Sequence, residues 1–393
     1  VYGSHPITGE KLNPGEYGGA CNLGSLFLHN FVDKPFTNNA QADYDKLENA
    51  IYSAVRMLDN IIDINHYPDD IYRNYQHSFR VIGLGVTGLA DMLCMLGLKY
   101  NSHQAQLFVW DLMNFIAIKA YKASIELAKE KGSFPFFEAD NFIQSGFLQK
   151  HTKISDNWKF IIEDIKHYGI RNARILSVAP TGTLSLTFGN NCSSGCEPIF
   201  MKEVERKIKI GGQSEENVNI VKLRDYGYDL WKKTNSDISE DVFVTTNELT
   251  VDQHIGVLAA IAFNVDQSVS KTINIPIDYS FEDTKEVYKK CHKAGIKGCT
   301  IFRPNELRQG IFNTNKNKIE NSKKEIIIPW GTTISCSDDL IGKKRKIVSG
   351  CGNLHVQAWF DPIDGKCLEI FLSKGSTGGC NSFMIGLSRM TSL

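Results

Sequence analysis

The chain has 393 residues, 42% of them hydrophobic and 22% charged, which predicts a folded globular protein of two or three domains. Its 44 basic and 44 acidic residues cancel, so the composition gives no support to nucleic acid or an anionic membrane as a partner. We find no apolar run of membrane-spanning length and no secretory signal, so a cytoplasmic protein without nucleic-acid or membrane partners is expected.

The predicted elements alternate between helices and short strands. Residues 1–20 are rich in Gly and Pro and predict a loop. Apolar residues at helical spacing predict helices over 44–63, 104–131, 251–265 and 283–295. Short apolar runs predict strands over 174–179 and 298–302. This alternation indicates an α/β layer or barrel.

The composition changes after residue 312. The segment that begins at Asn313 is strongly polar and cannot bury enough surface to fold, so we place a linker over 313–335. Beyond it, the runs 354–360 and 367–372 alternate in hydropathy and flank a turn with Pro and Gly, which predicts a β-hairpin. The predicted domains are therefore 1–312 and a small, mostly antiparallel domain over 336–393.

The glycines at 83, 85 and 88 match the G-x-G-x-x-G pattern of dinucleotide-binding folds. That pattern requires a hydrophobic strand before it and an acidic residue about 20 positions later. Residues 72–80 are too polar for such a strand, and position 103 is His. We therefore interpret the glycines as sites of close packing where the chain turns into a helix near Leu89.

Two patterns that suggest metal or cofactor ligands have simpler explanations. Asp252 and His254 fall one residue short of a cobalamin-binding pattern, and Thr250 with Gln253 forms a capping box that explains the segment as a helix start. Cys192 and Cys196 are four residues apart without a second pair to complete a zinc site. We expect both cysteines to be packing residues, as most of the chain's ten cysteines should be in a reducing compartment.

A candidate phosphate site follows the strand predicted over 174–179. There the chain turns at a glycine, and backbone N–H groups with Thr and Ser hydroxyls can hold a phosphate. From the residues alone, phosphate binding and a plain turn both stay open. The candidate residues are Pro180, Thr181, Gly182, Thr183, Leu184 and Ser185.

These segments together resemble the large chains of ribonucleotide reductases over about residues 20–312. Any one match is weak, but many matches in the family's own order are specific. The matching stretches are Ala20-Cys-Asn-Leu-Gly-Ser25, the 54–63 helix with Tyr67-Pro68, Arg80 to Gly88, the 123–128 helix with Gly132 to Pro135, Arg171-Asn172, Pro180-Thr-Gly-Thr183, Ser193 to Pro198, Val269-Ser-Lys-Thr-Ile-Asn274 and Lys297 to Arg303.

The details are similar to class II, the vitamin B12-dependent reductases. Class I chains carry two adjacent tyrosines near the strand after Lys297, whereas this sequence has Ile301 and Phe302 there. Residues 336–393 resemble the small accessory domain appended to many B12-dependent reductases, and we expect them to be only part of that domain. A fragment of a class I large chain is the alternative within the family.

The resemblance implies the second half of a ten-stranded α/β barrel. It implies adenosylcobalamin-initiated thiyl radical chemistry that converts ribonucleoside di- or triphosphates into 2'-deoxyribonucleotides for DNA synthesis. Cys21 matches a redox cysteine that supplies electrons, and residues 180–185 match the loop that holds the substrate phosphates. A thioredoxin-like protein would be the reductant, and a homodimer stays open.

One departure from the family concerns the radical cysteine, which the family carries in Asn-Pro-Cys-Gly-Glu shortly before the segment of Cys21. Here Pro6 to Glu10 and Asn13 to Glu16 contain no cysteine. We expect the radical cysteine and the first half of the barrel to lie before Val1, and the tail thiols that relay electrons to lie after Leu393. The isolated chain is then expected to be inactive. A non-catalytic nucleotide-binding paralogue is the alternative.

Overall fold

The computed structural model describes residues 5, 10–12, 16–209, 218–303, 341–349, 352–360 and 367–374. The chain divides into two units, Val1–Asn317 and Lys318–Leu393. The helices of the first unit are α1 (Tyr44–Ile64), α2 (Asp70–Phe79), α3 (Leu89–Met95), α4 (His103–Lys131), α5 (Ala139–Ile143), α6 (Gly146–Thr152), α7 (Asp156–Tyr168), α8 (Gly182–Thr187), α9 (Tyr226–Lys233), α10 (Val251–Phe263) and α11 (Phe281–Lys293). Its strands are β1 (Asn22–Phe27), β2 (Val32–Asp33), β3 (Gln41–Ala42), β4 (Ile82–Thr87), β5 (Glu203–Lys209), β6 (Val218–Arg224), β7 (Thr272–Asn274) and β8 (Thr300–Phe302).

Five extended segments of the first unit lie side by side in one parallel row. β1 pairs with β4 along its whole length, and Leu84 of β4 bridges to Leu176. Val178, two residues later, bridges to Val269, and β7 pairs with β8. The row therefore runs β1, β4, 174–178, 267–274 and β8, with the connections of the intervening chain made largely by helices. This is the α/β arrangement that the alternation of elements predicted.

Long helices pack against this row. α4 contacts both α1 and α10, and α1 also contacts β1 and β4. Each of these helices begins at a residue whose side chain accepts a backbone N–H: Asp43 for α1, Ser102 for α4 and Thr250 for α10. The apolar faces that they bury form one continuous core with the middle strands of the row.

Two glycines, Gly85 within β4 and Gly88 just after it, lie where the neighbouring atoms leave no room for a larger side chain. A Cβ at Gly85 would lie 2.4 Å from the carbonyl oxygen of Ser177 on the neighbouring segment. Gly88 has φ of +72° and starts α3, and a Cβ there would lie 2.4 Å from Nδ1 of His29. The packing interpretation of the 83–88 pattern is confirmed, because its first two glycines lie within a strand rather than in a phosphate-binding turn.

The predicted helices are confirmed with small shifts of their ends. The prediction missed β4 altogether, because a strand with two glycines lacks the apolar alternation that marks a strand. The polar residues before it form α2. The strand predicted over 298–302 lies at the opposite end of the row from β1, so it is not a neighbour of the segment that carries Cys21. Parts of the loop predicted over 1–20 lie outside the described residues.

The second unit contains three antiparallel strands, β9 (Ile341–Ser349), β10 (Gly352–Phe360) and β11 (Cys367–Lys374). β10 lies between the other two, and its pairing with β11 confirms the predicted hairpin. The turn of the hairpin and the linker predicted over 313–335 lie outside the described residues. The limits of the domains, 1–312 and 336–393, therefore stay predictions.

Candidate functional site

A cavity of about 430 Å³ lies along the strand row of the first unit. This is the size of a site for a small organic molecule. Its walls come from three segments of the row and from the turn that leads into β8, with Leu23 of β1 at one side. The polar wall residues are Ser177, Gln267, Ser268, Ser270, Lys271, Lys297, Cys299 and Thr300.

Cys21 precedes β1 and lies against this cavity wall. Its Sγ is 3.8 Å from Oε1 of Gln267. The amide of Gln267 is oriented by its nitrogen, which donates to the carbonyl oxygens of Ile82 at 2.7 Å and Leu176 at 3.2 Å. The amide oxygen is thereby presented to the thiol, so the position of Cys21 is set by two neighbouring segments of the row.

The environment of Cys21 favours the protonated thiol. Cys21 as a residue is solvent-exposed, but desolvation of its sulfur, followed by the negative charge of Asp266, raises the pKa of Cys21 to about 12. Asp266 is itself buried, and its carboxylate accepts the backbone N–H groups of Ile175 and Leu176, both at 2.9 Å. The thiol of Cys21 therefore keeps its proton at neutral pH.

The predicted phosphate residues follow the third segment of the row and divide into two groups. Thr181 is buried, and its hydroxyl is 2.8 Å from that of Thr87 and accepts the N–H of Gly195 at 2.6 Å. The hydroxyl of Ser185 donates to the carbonyl oxygen of Gly182. Both side chains therefore hold the turn together. Thr183 is exposed in the first turn of α8, where backbone N–H groups have no acceptor within the helix.

The segment 193–196 ties this turn to the end of β4. Gly88 has no side chain to cap α3, and the Oγ of Ser193 accepts the N–H groups of Ala90 and Asp91 instead. In return the N–H of Ser193 donates to the carboxylate of Asp91 at 2.6 Å. These bonds make the ends of β4 and of the 174–178 segment one connected unit.

Cys192 and Cys196, which flank this segment, are both buried, as predicted for packing residues. Burial raises the pKa of each thiol to about 12. Among the described residues, no group of three or more His, Cys, Asp or Glu side chains is arranged to hold a metal ion. The described chain also has no helix that is long and apolar enough to span a bilayer.

Lys271 is a buried cation at the cavity wall that the sequence did not single out. Its Nζ lies 2.9 Å from a carboxylate oxygen of Glu197 and 3.2 Å from Nδ1 of His254. Glu197 also accepts the N–H of Thr272 at 2.6 Å. Burial and the charge of Lys271 lower the pKa of His254 to about 3. His254 is thus a neutral acceptor inside the fold, and its capping-box helix start is confirmed.

Two of the candidate residues can be related to the cavity. Pro180 lies on the cavity wall, and Cys21 contacts Gln267 on the same wall. His254 does not join them, because it is fully buried. Sequence reasoning missed Gln267, which orients Cys21, and Asp266, whose charge adds to the effect of burial on the pKa of Cys21. Gln267 and Asp266 lie two and three residues before the Val269 to Asn274 stretch.

The sequence matches the family model described as "Ribonucleotide reductase, barrel domain" over residues 10–302. The match includes Cys21, residues 180–185 and the whole strand row. The residues after 302 lie outside it.

Two relatives named "Vitamin B12-dependent ribonucleoside-diphosphate reductase" are similar to this chain. The protein from Thermoplasma acidophilum is 32% identical over 348 residues, which cover 83% of this chain and 41% of the relative. The protein from Mycobacterium tuberculosis is 32% identical over 300 residues, covering 72% of this chain and 39% of the relative. A "Ribonucleoside-diphosphate reductase subunit alpha" from Chlamydia pneumoniae is 25% identical and covers 83% of this chain. The chain spans about two fifths of the B12-dependent relatives.

Proposed function

The chain belongs to the ribonucleotide reductase barrel family, and from this membership we propose that it is part of a B12-dependent reductase that makes 2'-deoxyribonucleotides. The five parallel segments would be half of a ten-stranded barrel. The proposed substrate is a ribonucleoside diphosphate, since the relatives are named for diphosphates. A thioredoxin-like protein is the proposed reductant.

The observation that carries this proposal is that Pro180 and Gln267 lie on the wall of one cavity. Pro180 begins the proposed phosphate turn, and Gln267 holds the thiol of Cys21. A nucleotide bound with its phosphates at the first turn of α8 would extend its sugar along this wall. The retained proton of Cys21 fits a reductant, which gives up hydrogen and becomes oxidised to a disulfide with a second thiol.

The proposed phosphate contacts come from the backbone and from Thr183. The hydroxyls of Thr181 and Ser185 are used within the protein, so they would shape the turn rather than touch the phosphates. The first N–H groups of a helix favour an anion through their partial positive charge. The neutral hydroxyl of Thr183 is exposed beside them.

Adenosylcobalamin is the proposed cofactor, and when bound it would supply the radical that starts the reaction. The buried position of His254 beside Lys271 does not fit a ligand of cobalt. We therefore assign no cobalt ligand within the described residues. The part assigned to this chain is to bind the nucleotide and to keep the reducing thiol in place.

Titration of the chain with cytidine diphosphate and with cytidine tests the nucleotide site. We expect the diphosphate to bind at least about tenfold more tightly, which is about 1.4 kcal/mol. Thr183→Glu places a negative charge where the phosphates would lie, so it should weaken diphosphate binding about tenfold or more and leave cytidine binding unchanged. Thr187→Glu is the matched control, because Thr187 is exposed at the other end of the same helix. Equal loss of diphosphate binding in both variants would contradict the proposed site.

A further inference from the structure

Two cysteines outside the proposed chemistry belong to one apolar cluster beside the cavity. Cys291 lies in the last turns of α11, and Cys299 comes immediately before β8. Gly295, with φ of +73°, ends the helix, and the N–H of Ile296 donates back to the carbonyl oxygen of Cys291 at 3.0 Å. The chain therefore reverses direction between the two cysteines.

The two thiols share one small apolar cluster. Cys291 is buried in it, with Val287, Ile296 and Ile273 among the buried members, and Cys299 packs against it. Burial, followed by the influence of the neighbouring Cys299 thiol, raises the pKa of Cys291 to about 12.

The two cysteines differ in access. Cys299 is half-buried and lies on the cavity wall, whereas Cys291 is buried and does not line the cavity. A small reagent that enters the cavity therefore meets Cys299 first. An accessible thiol with a buried thiol in the same cluster is the arrangement of an attacking and a resolving cysteine.

We propose that Cys291 and Cys299 form a reversible disulfide in exchange with small-molecule disulfides that enter the cavity. The proposal does not depend on the proposed function, since it uses only these two thiols and access to the wall. The pair would be a redox-sensitive modification site at the turn that leads into β8. The N–H of Thr300, next to Cys299, donates to the carbonyl oxygen of Lys271, so the crosslink would connect the end of α11 to the cavity wall.

The reaction proceeds by two exchange steps. Cys299 loses its proton to solvent, its sulfur attacks one sulfur of the reagent, and the bond between the reagent's two sulfurs breaks. One small thiol leaves, and Cys299 carries the other half of the reagent. Cys291 then loses its proton and attacks the sulfur of Cys299, which releases the second small thiol. Two protein thiols are oxidised to one disulfide, and one reagent disulfide is reduced to two thiols.

The test is to incubate the chain with 2-hydroxyethyl disulfide, alkylate the remaining thiols and map the peptides by mass spectrometry. Trypsin cleaves after Lys293 and Lys297, so the two cysteines fall in different peptides. We expect a linked pair of peptides with a mass about 2 Da below the sum of the two reduced peptides, and its loss on treatment with dithiothreitol. In Cys291→Ser, a stable mixed disulfide should accumulate on Cys299 instead.

Cys94→Ser is the matched control. Cys94 is buried in the other cluster, where its thiol donates to the carbonyl oxygen of Val242, so this variant should form the linked pair as the parent does. The proposal is wrong if the parent accumulates the stable mixed disulfide seen in Cys291→Ser. It is equally wrong if Cys299 becomes linked to another cysteine, or if neither Cys291 nor Cys299 reacts with the reagent.

Discussion

At the amino-terminal end of β4, the guanidinium of Arg80 is buried against the carboxylates of Asp59 and Asp63, at 2.8 Å from each. At the carboxyl-terminal end, two buried carboxylates, Asp91 and Asp225, lie close together around Gly227. The nearby base is His29, and burial lowers its pKa, so it stays neutral and adds no balancing positive charge. One end of the strand thus pairs opposite charges and the other brings like charges together.

The first arrangement is fully satisfied. Asp59 accepts from Arg80, from Arg171 at 3.3 Å and from the amide of Asn172 at 3.0 Å. Arg80 has φ of +49° at the end of α2, a backbone conformation that the ion pairs help to hold. This end of β4 is the side on which Cys21 lies, so it keeps the start of the strand row in one geometry.

In the second arrangement, a proton on Asp225 would remove the repulsion between the two carboxylates. Both oxygens of Asp91 accept backbone N–H groups, from Ser193 at 2.6 Å and from Gly227 at 2.7 Å. Burial and the neighbouring Asp91 raise the pKa of Asp225 well above its usual range, so Asp225 can donate a hydrogen bond to Asp91. The comparison teaches that one strand can be anchored by an ion pair at one end and by a buried carboxyl group with a raised pKa at the other, so that the two ends respond differently to pH.

The largest effect is expected for Asp59→Ala, which removes the buried carboxylate that Arg80, Arg171 and Asn172 share. We expect the free energy of unfolding in urea to fall by about 3–5 kcal/mol, because buried charged donors lose their acceptor. Asp63→Ala is the control at the same arginine, and because the Asp63 side chain is 44% exposed its loss should cost about 1 kcal/mol or less. Similar losses in the two variants would show that burial does not distinguish them.

Asp91→Asn should have the next largest effect. An amide offers one acceptor oxygen and turns an N–H group toward a backbone donor, so one buried donor loses its partner. We expect a loss of about 2 kcal/mol in the free energy of unfolding. Asp111→Asn, at an exposed position of α4, should change it by less than about 0.5 kcal/mol. A harmless Asp91→Asn would mean that the bonds to Ser193 and Gly227 do not hold this end of β4.

The smallest effect, and the one most specific to the comparison, is expected for Asp225→Asn. The folded-state pKa of Asp225 is raised, so its proton stabilises the fold at low pH, and this contribution is lost as the pH rises through the folded pKa. Asparagine mimics the protonated acid and can still accept the N–H of Tyr228. The variant should therefore gain stability relative to the parent as the pH increases. Thermal unfolding of both proteins from pH 5 to pH 8.5 measures this. A difference in stability that stays constant over this range would refute the raised pKa of Asp225.

Much of this architecture was readable from local patterns. The long helices are marked by apolar spacing and by capping residues such as Thr250 and Ser280, which act over three or four residues of chain. The hairpin of β10 and β11 was readable for the same reason, since alternation and turn residues lie next to each other. The strand β4 was not readable in this way, because its glycines give no local strand pattern. It becomes a strand through close packing between β1 and the 174–178 segment.

The sequence by itself determined the helices, the hairpin, the order of the family's motifs and the two places, Cys21 and residues 180–185, where chemistry was expected. Only the tertiary structure decided that Gln267 orients Cys21, that burial and Asp266 raise its pKa, and that the hydroxyl of Thr181 bonds to Thr87 and Gly195. Asp266 and Gln267 lie about 245 positions from Cys21 in the chain. Hydrogen bonds and charges act over a few ångströms of space, and no local pattern records which distant residues the strand row brings within that range.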